Sequence, residues 1–314
     1  MVPRIGISGW RYKPWRGTFY SEDLTQKREL WYASRQLNSI EINGSFYSLQ
    51  RPSSWKSWYA ETPGDFVFSI KGGRYITHMR KLSNIEEPLA NFFAQGLLVL
   101  EEKLGPILWQ FPPIFRFNPE KIAAFFELLP RDTKEAAALA KKHTAFMKGR
   151  TFFGVKEKRP MRHAMEVRHE SFKTPEFIAL LRKHDGGLVV ADTAGKWPFM
   201  EDVTSDFVYA RVHGEEQLYT SGYTEEALDR WAGRVKVWMA GGEAAEGERV
   251  SEKGMKKRKH RDVYVYFDND VKVRAPFDAV GLAQRTGGFV PAEAPVEPPK
   301  NMKEEARAHW PVLR

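Results

Sequence analysis

The chain has 314 residues, of which 42% are hydrophobic, 13% aromatic and 28% charged, so it holds enough apolar material for a large buried core. It contains no cysteine, which excludes disulfides, thiolate zinc sites, cysteine-ligated iron–sulfur clusters and a cysteine nucleophile. The first residues show no apolar leader, and no stretch reaches about 18 uninterrupted apolar residues. We therefore expect a soluble cytoplasmic protein without a membrane partner.

The formal net charge of +9 is concentrated in two segments. Residues 131–162 hold ten basic and three acidic side chains, and residues 253–261 hold six basic and no acidic ones. Neither segment has sustained apolar periodicity, so both are interpreted as parts of insertions. Such runs are typical either of solvated loops or of a nucleic-acid-binding surface. On the second interpretation the nucleic-acid contacts include Lys256, Lys257, Arg258 and Lys259.

Eight short β-rich runs follow one another along the chain, and most are followed by an amphipathic helical stretch. The predicted strands are Ile5–Ser8, Ser39–Ile42, Val67–Ile70, Ile107–Gln110, His163–Val167, Leu188–Ala191, Phe207–Arg211 and Val263–Phe267. Asn118, Thr174 and Thr224 are capping residues that announce helices. This alternation predicts an α/β fold, a single (β/α)8 TIM-type barrel, with an open doubly wound sheet as the alternative.

The predicted organisation is one barrel domain over residues 1–289. The basic insertions lie near 131–162 and 243–261 within it. A proline-rich C-terminal tail over 290–314 follows, and its composition predicts an extended segment.

The strand ends carry the candidate site, because barrels of this kind place their active sites at the C-terminal ends of the strands. Side chains alternate along a strand, and on this alternation the polar residues form the inward set. The candidate catalytic residues are Glu41, Glu166, Asp192 and His213. The candidate substrate-binding residues at strand ends are Asn43, Lys71, Gln110, Arg168, Arg211 and Asn269. An internal layer of salt bridges is the structural alternative, although buried ions are costly without partners.

The connection after the first strand is crowded with aromatic residues, namely Trp10, Tyr12, Trp15, Phe19 and Tyr20. They are suited either to a stacking wall for a base or sugar, with Trp10 and Tyr12 as its contacts, or to a hydrophobic plug on the barrel.

No established cofactor motif is present: the chain has no Walker loop, no dinucleotide-binding fingerprint and no His-Glu-x-x-His helix. A divalent metal stays an alternative. A metal site with carboxylate and imidazole ligands could be formed by Glu41, Glu166, Asp192 and His213. The Asp-Asn-Asp sequence at 268–270 suits either a hard cation or an Asx turn.

A series of motifs, in order from Ile5 to Leu282, resembles the YecE-like family, domain of unknown function 72. The motifs are IGISGWRYKPWRGTFY over 5–20, EINGSFY over 41–47, ITH over 76–78, LGPILWQFPP over 104–113, EVRH over 166–169, RVHG over 211–214 and YVYFDND over 264–270. The resemblance implies a TIM-barrel fold and a family without an established activity. It adds Tyr47, His78 and His169, which lie in these motifs, to the candidate substrate-binding residues.

The leading functional hypothesis is an enzyme, a hydrolase or lyase, acting on a phosphate-bearing substrate such as a nucleic acid or nucleotide. Lys71, Arg168 and Arg211 would neutralise phosphate oxygens, while Glu41, Glu166 or His213 would serve as general base or metal ligand. A non-catalytic nucleic-acid-binding protein is the second hypothesis. A carbohydrate-processing barrel with Glu41 and Glu166 as an acid/base pair is the third.

Overall fold

Eight parallel strands close into a barrel in sequence order in the computed structural model, which describes residues 2–270 and 273–287. The strands are β1 Arg4–Ser8, β2 Ser39–Ile42, β3 Val67–Lys71, β4 Leu104–Gln110, β5 His163–Glu166, β6 Gly187–Asp192, β7 Phe207–Val212 and β8 Asp262–Phe267. The first strand pairs with the last, with Gly6 opposite Tyr266, so the sheet has no free edge. The predicted TIM-type barrel and all eight predicted strands are confirmed, and the doubly wound alternative is excluded.

Helices cover the outside of the barrel. The structure describes α1 Glu29–Gln36, α2 Gly44–Tyr47, α3 Pro52–Glu61, α4 Glu86–Ala94, α5 Pro119–Leu128, α6 Thr133–Ala140, α7 Pro175–Lys183, α8 Glu225–Met239 and α9 Ala275–Arg285. The side chains of Asn118, Thr174 and Thr224 each accept a hydrogen bond from the backbone N–H three residues further on, which confirms the predicted helix starts. Within the described ranges, no helix combines the length and apolar character needed to cross a bilayer.

Inward-facing side chains fill the barrel in two chemically different zones. Below the strand ends the filling is apolar and aromatic, from Val67, Leu108, Ala164, Val189, Ala191, Phe207, Tyr209, Tyr264 and Tyr266. Two hydroxyl pairs close this zone: Tyr266 Oη lies 2.7 Å from Ser39 Oγ, and Tyr209 Oη lies 2.8 Å from Ser69 Oγ. Above them, at the C-terminal ends that we call the mouth, the inward side chains are charged.

Two glycines are required by close approaches that position the mouth. A Cβ on Gly6 would lie 1.8 Å from the backbone oxygen of Ser39, so only glycine lets β1 approach β2 here. A Cβ on Gly72 would lie 2.3 Å from the ring of Trp109. Because Gly72 directly follows Lys71, this close approach fixes the course of the chain just beyond the end of β3.

The two basic segments differ in structure and lie at different places. Residues 131–162 include α6, which Asp132 caps and which packs against α4 through small side chains such as Ala136 and Ala140, so this segment is not a simple loop. The run of 253–261 has no helix or strand and directly precedes β8. It therefore lies at the N-terminal end of the barrel, opposite the mouth. The predicted tail over 290–314 lies outside the described residues.

Candidate active site at the barrel mouth

The centre of the mouth is the guanidinium of Arg211, which is fully buried and meets three carboxylates, from β2, from β5 and from the residue after β8. Its Nη2 lies 3.0 Å from Glu41 Oε1 and 2.8 Å from Asp268 Oδ2, and its Nη1 lies 2.7 Å from Glu166 Oε2. Burial by itself lowers the pKa of Arg211, but the charges of Glu41, Asp268 and Glu166 outweigh it and raise that pKa well above its usual value. Arg211 is thus a permanent cation that ties β7 to β2, β5 and the end of β8.

Glu41 is saturated with hydrogen-bond donors. Its carboxylate accepts from Ser8 Oγ at 2.9 Å and from Tyr209 Oη at 2.6 Å, besides the bonds that Arg211 donates. Neither Glu41 nor Glu166 is exposed to solvent. Both carboxylates are therefore held in place, enclosed by the side chains that donate hydrogen bonds to them.

Glu166 holds the second arginine of the mouth. Its Oε1 accepts from Gln110 Nε2 at 2.9 Å and from Arg168 Nε at 2.7 Å. Burial raises the pKa of Glu166, but the charges of Arg168 and Arg211 outweigh that effect and hold the pKa well below the usual range. The Arg168 guanidinium also stacks 3.7 Å from the ring centre of Trp197, so its plane is fixed from two sides.

His213 is buried beside this network. Its Nδ1 lies 3.1 Å from Asp268 Oδ2, and its Nε2 lies 3.4 Å from Arg211 Nη1. Burial and the adjacent Arg211 charge lower the pKa of His213, so the imidazole is neutral at neutral pH. For Asp268 the charge of Arg211 and a hydrogen bond from His213 outweigh burial and lower the pKa below the usual range.

Lys71 differs from the other cations of the mouth because no described carboxylate forms an ion pair with it. Its side chain is buried, and Nζ lies 4.6 Å from the ring centre of Phe46. Burial and the charge of Arg211 lower its pKa to about 8. Lys103, the second buried lysine among the described residues, donates three hydrogen bonds, to the backbone oxygens of Tyr59 and Thr62 and to the Thr62 hydroxyl.

His78 reaches the mouth from the segment after β3. Its ring lies 5.0 Å from the ring of Phe46, whose face Lys71 also contacts, and its Nδ1 lies 2.9 Å from Thr77 Oγ1. Burial and the charges of Arg168 and Lys71 lower its pKa to about 4. Nε2 of this neutral imidazole forms no hydrogen bond with any residue in the described ranges.

Two strand-end residues predicted to face inward point outward. Asp192 accepts from Tyr223 Oη at 3.0 Å and lines a separate cavity of about 310 Å³ on the α8 side. Asn269 donates to Asp278 of α9 at 2.7 Å. The prediction of an inward direction is therefore wrong for both residues, and alternation from the inward Ala191 and Tyr266 places them on the outer face.

Four further predicted binding residues have other contacts, although Tyr12 lies close enough to the mouth for the charge of Asp268 to add to burial in raising the pKa of its hydroxyl. Trp10 is only 7% exposed and packs edge-to-face against Trp58, so the first connection is largely a plug. Tyr12 donates to the Ser8 backbone oxygen and stacks on Trp15, and His169 caps a short turn by accepting from Ser171 N–H. Tyr47 is exposed in a neighbouring groove.

Asn43, by contrast, directs a buried Oδ1 that has no hydrogen-bond partner among the described residues. It directly follows β2 and adopts the helical backbone conformation that begins α2. An unpaired buried oxygen of this kind is costly unless a ligand or water satisfies it.

Asp268 is a charged residue of this site that sequence reasoning missed, since it entered only as part of the Asp-Asn-Asp cation motif. Tyr264 and Tyr266 face into the barrel, and the same alternation places Asp268 inward, so the parity of β8 contains the signal. Its carboxylate pairs with Arg211 and His213.

The predicted metal-binding set is not brought together. Asp192 faces away, and the Arg211 guanidinium fills the space between Glu41, Glu166 and Asp268. Within residues 2–270 and 273–287, no group of three histidine or acidic side chains has metal-binding geometry. The same guanidinium engages both glutamates of the carbohydrate-processing hypothesis.

Comparison with known proteins yields one family and several fold neighbours. The family model for "Protein of unknown function DUF72" matches residues 4–301. The UPF0759 protein YunF of Bacillus subtilis (strain 168) is 28% identical over 124 residues, 38% of this chain and 43% of the relative. The UPF0759 protein YecE of Escherichia coli (strain K12) is 26% identical over 125 residues, 40% of this chain and 42% of the relative. The matched segments thus span less than half of these relatives.

Two solved structures share the fold. The DUF72 family protein TM1631 from Thermotoga maritima MSB8 has a TM-score of 0.67 at 24% identity, over 90% of this chain and 98% of that one. The DUF72 family protein EF0366 from Enterococcus faecalis V583 has a TM-score of 0.66 at 17% identity, over 92% of this chain and 97% of that one. At these sequence identities, the structural similarity establishes only the barrel fold.

Proposed function

The chain belongs to the DUF72 family, which includes YecE-like proteins and has no assigned activity, and we propose from the geometry of the mouth that it is a phosphoester hydrolase. The substrate phosphate binds between Lys71 and Arg168, and His78 activates the attacking water. The observation that carries the proposal is the ammonium of Lys71, which is buried at the mouth without an ion-pair partner among the described residues.

An anion is the ligand that this arrangement favours. The charges of Glu41, Asp268 and Glu166 favour the ammonium of Lys71 only from a distance, and burial and Arg211 outweigh them. A buried cation without a directly paired counter-charge is costly, and a phosphate supplies several charged oxygens that accept strong hydrogen bonds. Glu41, Glu166 and Asp268 all pair with Arg211, so none of them neutralises Lys71 by direct contact. Arg168 is held in one orientation by Glu166 and Trp197, which reduces the entropic cost of binding an oxygen of the substrate.

His78 is the accessible base. Its lowered pKa keeps it neutral at neutral pH, and its Nε2 is available to accept a proton. In the proposed step, the water oxygen forms a bond to phosphorus while Nε2 takes a water proton. The ester P–O bond breaks, and the leaving alkoxide takes a proton from the imidazolium or from solvent. Lys71 and Arg168 stabilise the charge on the non-bridging oxygens.

The test uses the full-length protein with two chromogenic probes, bis(p-nitrophenyl) phosphate and p-nitrophenyl phosphate. We expect Lys71→Met and His78→Gln each to lower kcat/KM by roughly a hundredfold or more. The exposed Lys236→Met on α8 serves as the control and should match the wild type. Inorganic phosphate should raise the thermal midpoint of the wild type and not of Lys71→Met. The absence of both turnover and this Lys71-dependent stabilisation would refute the proposal.

A further inference from the structure

A groove opens beside the mouth, with a volume of about 910 Å³. Its walls are residues 45–50 after β2, residues 73–84 after β3, the first half of α4, and residues 144–150 of the basic segment that returns along α4. Phe46 lines this aromatic groove and also contacts Lys71 and His78, so the groove and the mouth share one ring as their common wall.

Exposed apolar side chains gather in this groove. Seven large hydrophobic residues are prominently exposed in the described part of the chain, and four of them line the groove. These four are Tyr47, Tyr75, Met79 and Phe146, with exposed fractions between 48% and 65%. Such clustering at one place indicates a binding surface, because scattered single residues are the ordinary pattern for exposed apolar side chains.

Each exposed aromatic ring of the groove has an arginine guanidinium near it. The distances to the ring centres are 5.5 Å from Arg74 to Tyr47, 5.9 Å from Arg80 to Tyr75 and 4.8 Å from Arg150 to Phe146. These three arginines come from two separate walls.

Basic charge predominates along both walls. Residues 74–81 hold three arginines or lysines and residues 144–150 hold two, with no acidic side chain in either stretch. Glu86 and Glu87 at the start of α4 are the acidic residues of the lining. The groove therefore combines flat aromatic faces with an excess of cations, and its chemistry complements a polyanion that also carries aromatic groups.

We propose that the aromatic groove binds single-stranded nucleic acid. Bases stack on Tyr47, Tyr75 and Phe146, while the arginines contact phosphates. A duplex does not fit this use, because its bases are already stacked on one another. The identification of the substrate rests on the proposed function: a strand in the groove would present a phosphodiester to Lys71 across Phe46.

Binding is measured by fluorescence anisotropy with 5′-labelled 12-nucleotide oligo-dT and oligo-rU. We expect Tyr47→Ala and Phe146→Ala each to weaken the Kd by about tenfold, in line with the cost of removing one base-stacking ring. Val237→Ala on α8 is the matched control, since it also truncates an exposed apolar side chain but lies outside the groove. Its affinity should equal that of the wild type. Unchanged denaturant midpoints for all three variants establish that folding is intact.

Salt dependence tests the arginines separately. Replacing Arg74, Arg80 and Arg150 by glutamine should reduce the slope of log K against log salt by about 0.7 for each phosphate of a single strand that the variant no longer neutralises. Equal affinity for a duplex of the same length, equal competition by a poly-glutamate peptide, or wild-type affinity in both alanine variants would each overturn the inference.

The anisotropy measurement requires no turnover, so the two proposals fail separately. A protein that binds the strand through the groove and cleaves no phosphoester supports the groove and refutes the hydrolase. A protein that hydrolyses the chromogenic probes and binds no oligonucleotide refutes the groove alone.

Discussion

Arg211 Nη2 and Asp268 Oδ2 lie 2.8 Å apart, and this ion pair joins the end of β7 to the residue after β8. Asp268 is the one carboxylate of the Arg211 network with measurable exposure, 15%, whereas Glu41 and Glu166 are fully enclosed. The network is therefore closed on its inner side and touches solvent only at its outer edge. Its buried part corresponds to the internal layer of salt bridges that was the structural alternative in the sequence analysis. The groups proposed to contact a ligand, Lys71 and His78, lie beside this layer.

We predict that Arg211→Met lowers the free energy of unfolding by at least about 3 kcal/mol, because it leaves buried carboxylates without their counter-charge. Denaturant midpoints at pH 7 provide the measurement. Arg230→Met removes an exposed ion pair with Glu215 and should cost less than about 1 kcal/mol. A decrease at Arg211 no larger than the decrease at Arg230 would contradict the structural role assigned to the network.

Lys71→Met should have the opposite effect and raise the free energy of unfolding at pH 7 by on the order of 1–3 kcal/mol. The folded-state pKa of Lys71 is lowered to about 8, so the folded protein bears the cost of a buried ammonium at lower pH. The gain should be largest below pH 8 and fade towards the unfolded-state pKa near 10.4. Urea unfolding at pH 7 and pH 10 measures this difference.

Lys103→Met is the contrasting variant, because it leaves one buried and one partly buried backbone oxygen without their donor and should destabilise by about 1–3 kcal/mol. If Lys71→Met also destabilised the protein at pH 7, its ammonium would have a partner in the folded state, and the anion site would lose its basis.

The fold could be predicted from the sequence almost completely, whereas the site could be predicted only in part. All eight strands are predictable because parallel strands buried on both faces are short β-rich runs between helical stretches. Glu41, Glu166 and Arg211 follow from side-chain alternation, since each lies within a regular strand. Asp192 and Asn269 are misplaced because they were assigned inward by their position at a strand end, whereas alternation from the inward Ala191 and Tyr266 places both of them outward.

The ion-pair partners of the charged residues at the mouth could not be predicted from the sequence either. Nothing in the local pattern shows that Arg211 takes three carboxylates while Lys71 takes none, because these ion pairs cross the barrel between strands distant in sequence. The aromatic groove is equally hidden. Tyr47, Tyr75 and Phe146 lie on three separate segments, and only the return of 144–150 along α4 brings them together.

For the proposed hydrolase, kcat/KM should show a bell-shaped pH profile with limbs near the free-enzyme pKa values of about 4 for His78 and about 8 for Lys71. Activity rises with pH as the imidazole loses its proton and falls as the ammonium loses its own. Rates with p-nitrophenyl phosphate esters from about pH 3.5 to 9.5, over the range in which the fold is intact, give the profile. Lys71→Arg, whose charge persists at high pH, should lose the alkaline limb. An alkaline limb that persists in this variant would remove Lys71 from the assignment.

The last prediction concerns the basic run before β8. It tests whether oligonucleotide binding depends on the position of the basic residues in the groove or only on the total positive charge of the protein. Four of the positive charges of this run belong to Lys256, Lys257, Arg258 and Lys259. These residues precede β8 and therefore lie at the end of the barrel opposite the mouth. Replacing all four by glutamine should therefore leave the salt slope of oligonucleotide binding unchanged, whereas replacing the three groove arginines should reduce it. Electrostatic attraction over long distances is weak at physiological salt, where the Debye length is about 8 Å. The two sets of variants are therefore compared at salt concentrations around 0.15 M, that is, at about physiological ionic strength. The four glutamine replacements in the basic run could instead reduce the slope as much as the groove replacements do. That result would place the nucleic-acid contacts on the basic run, as the sequence pattern by itself suggests.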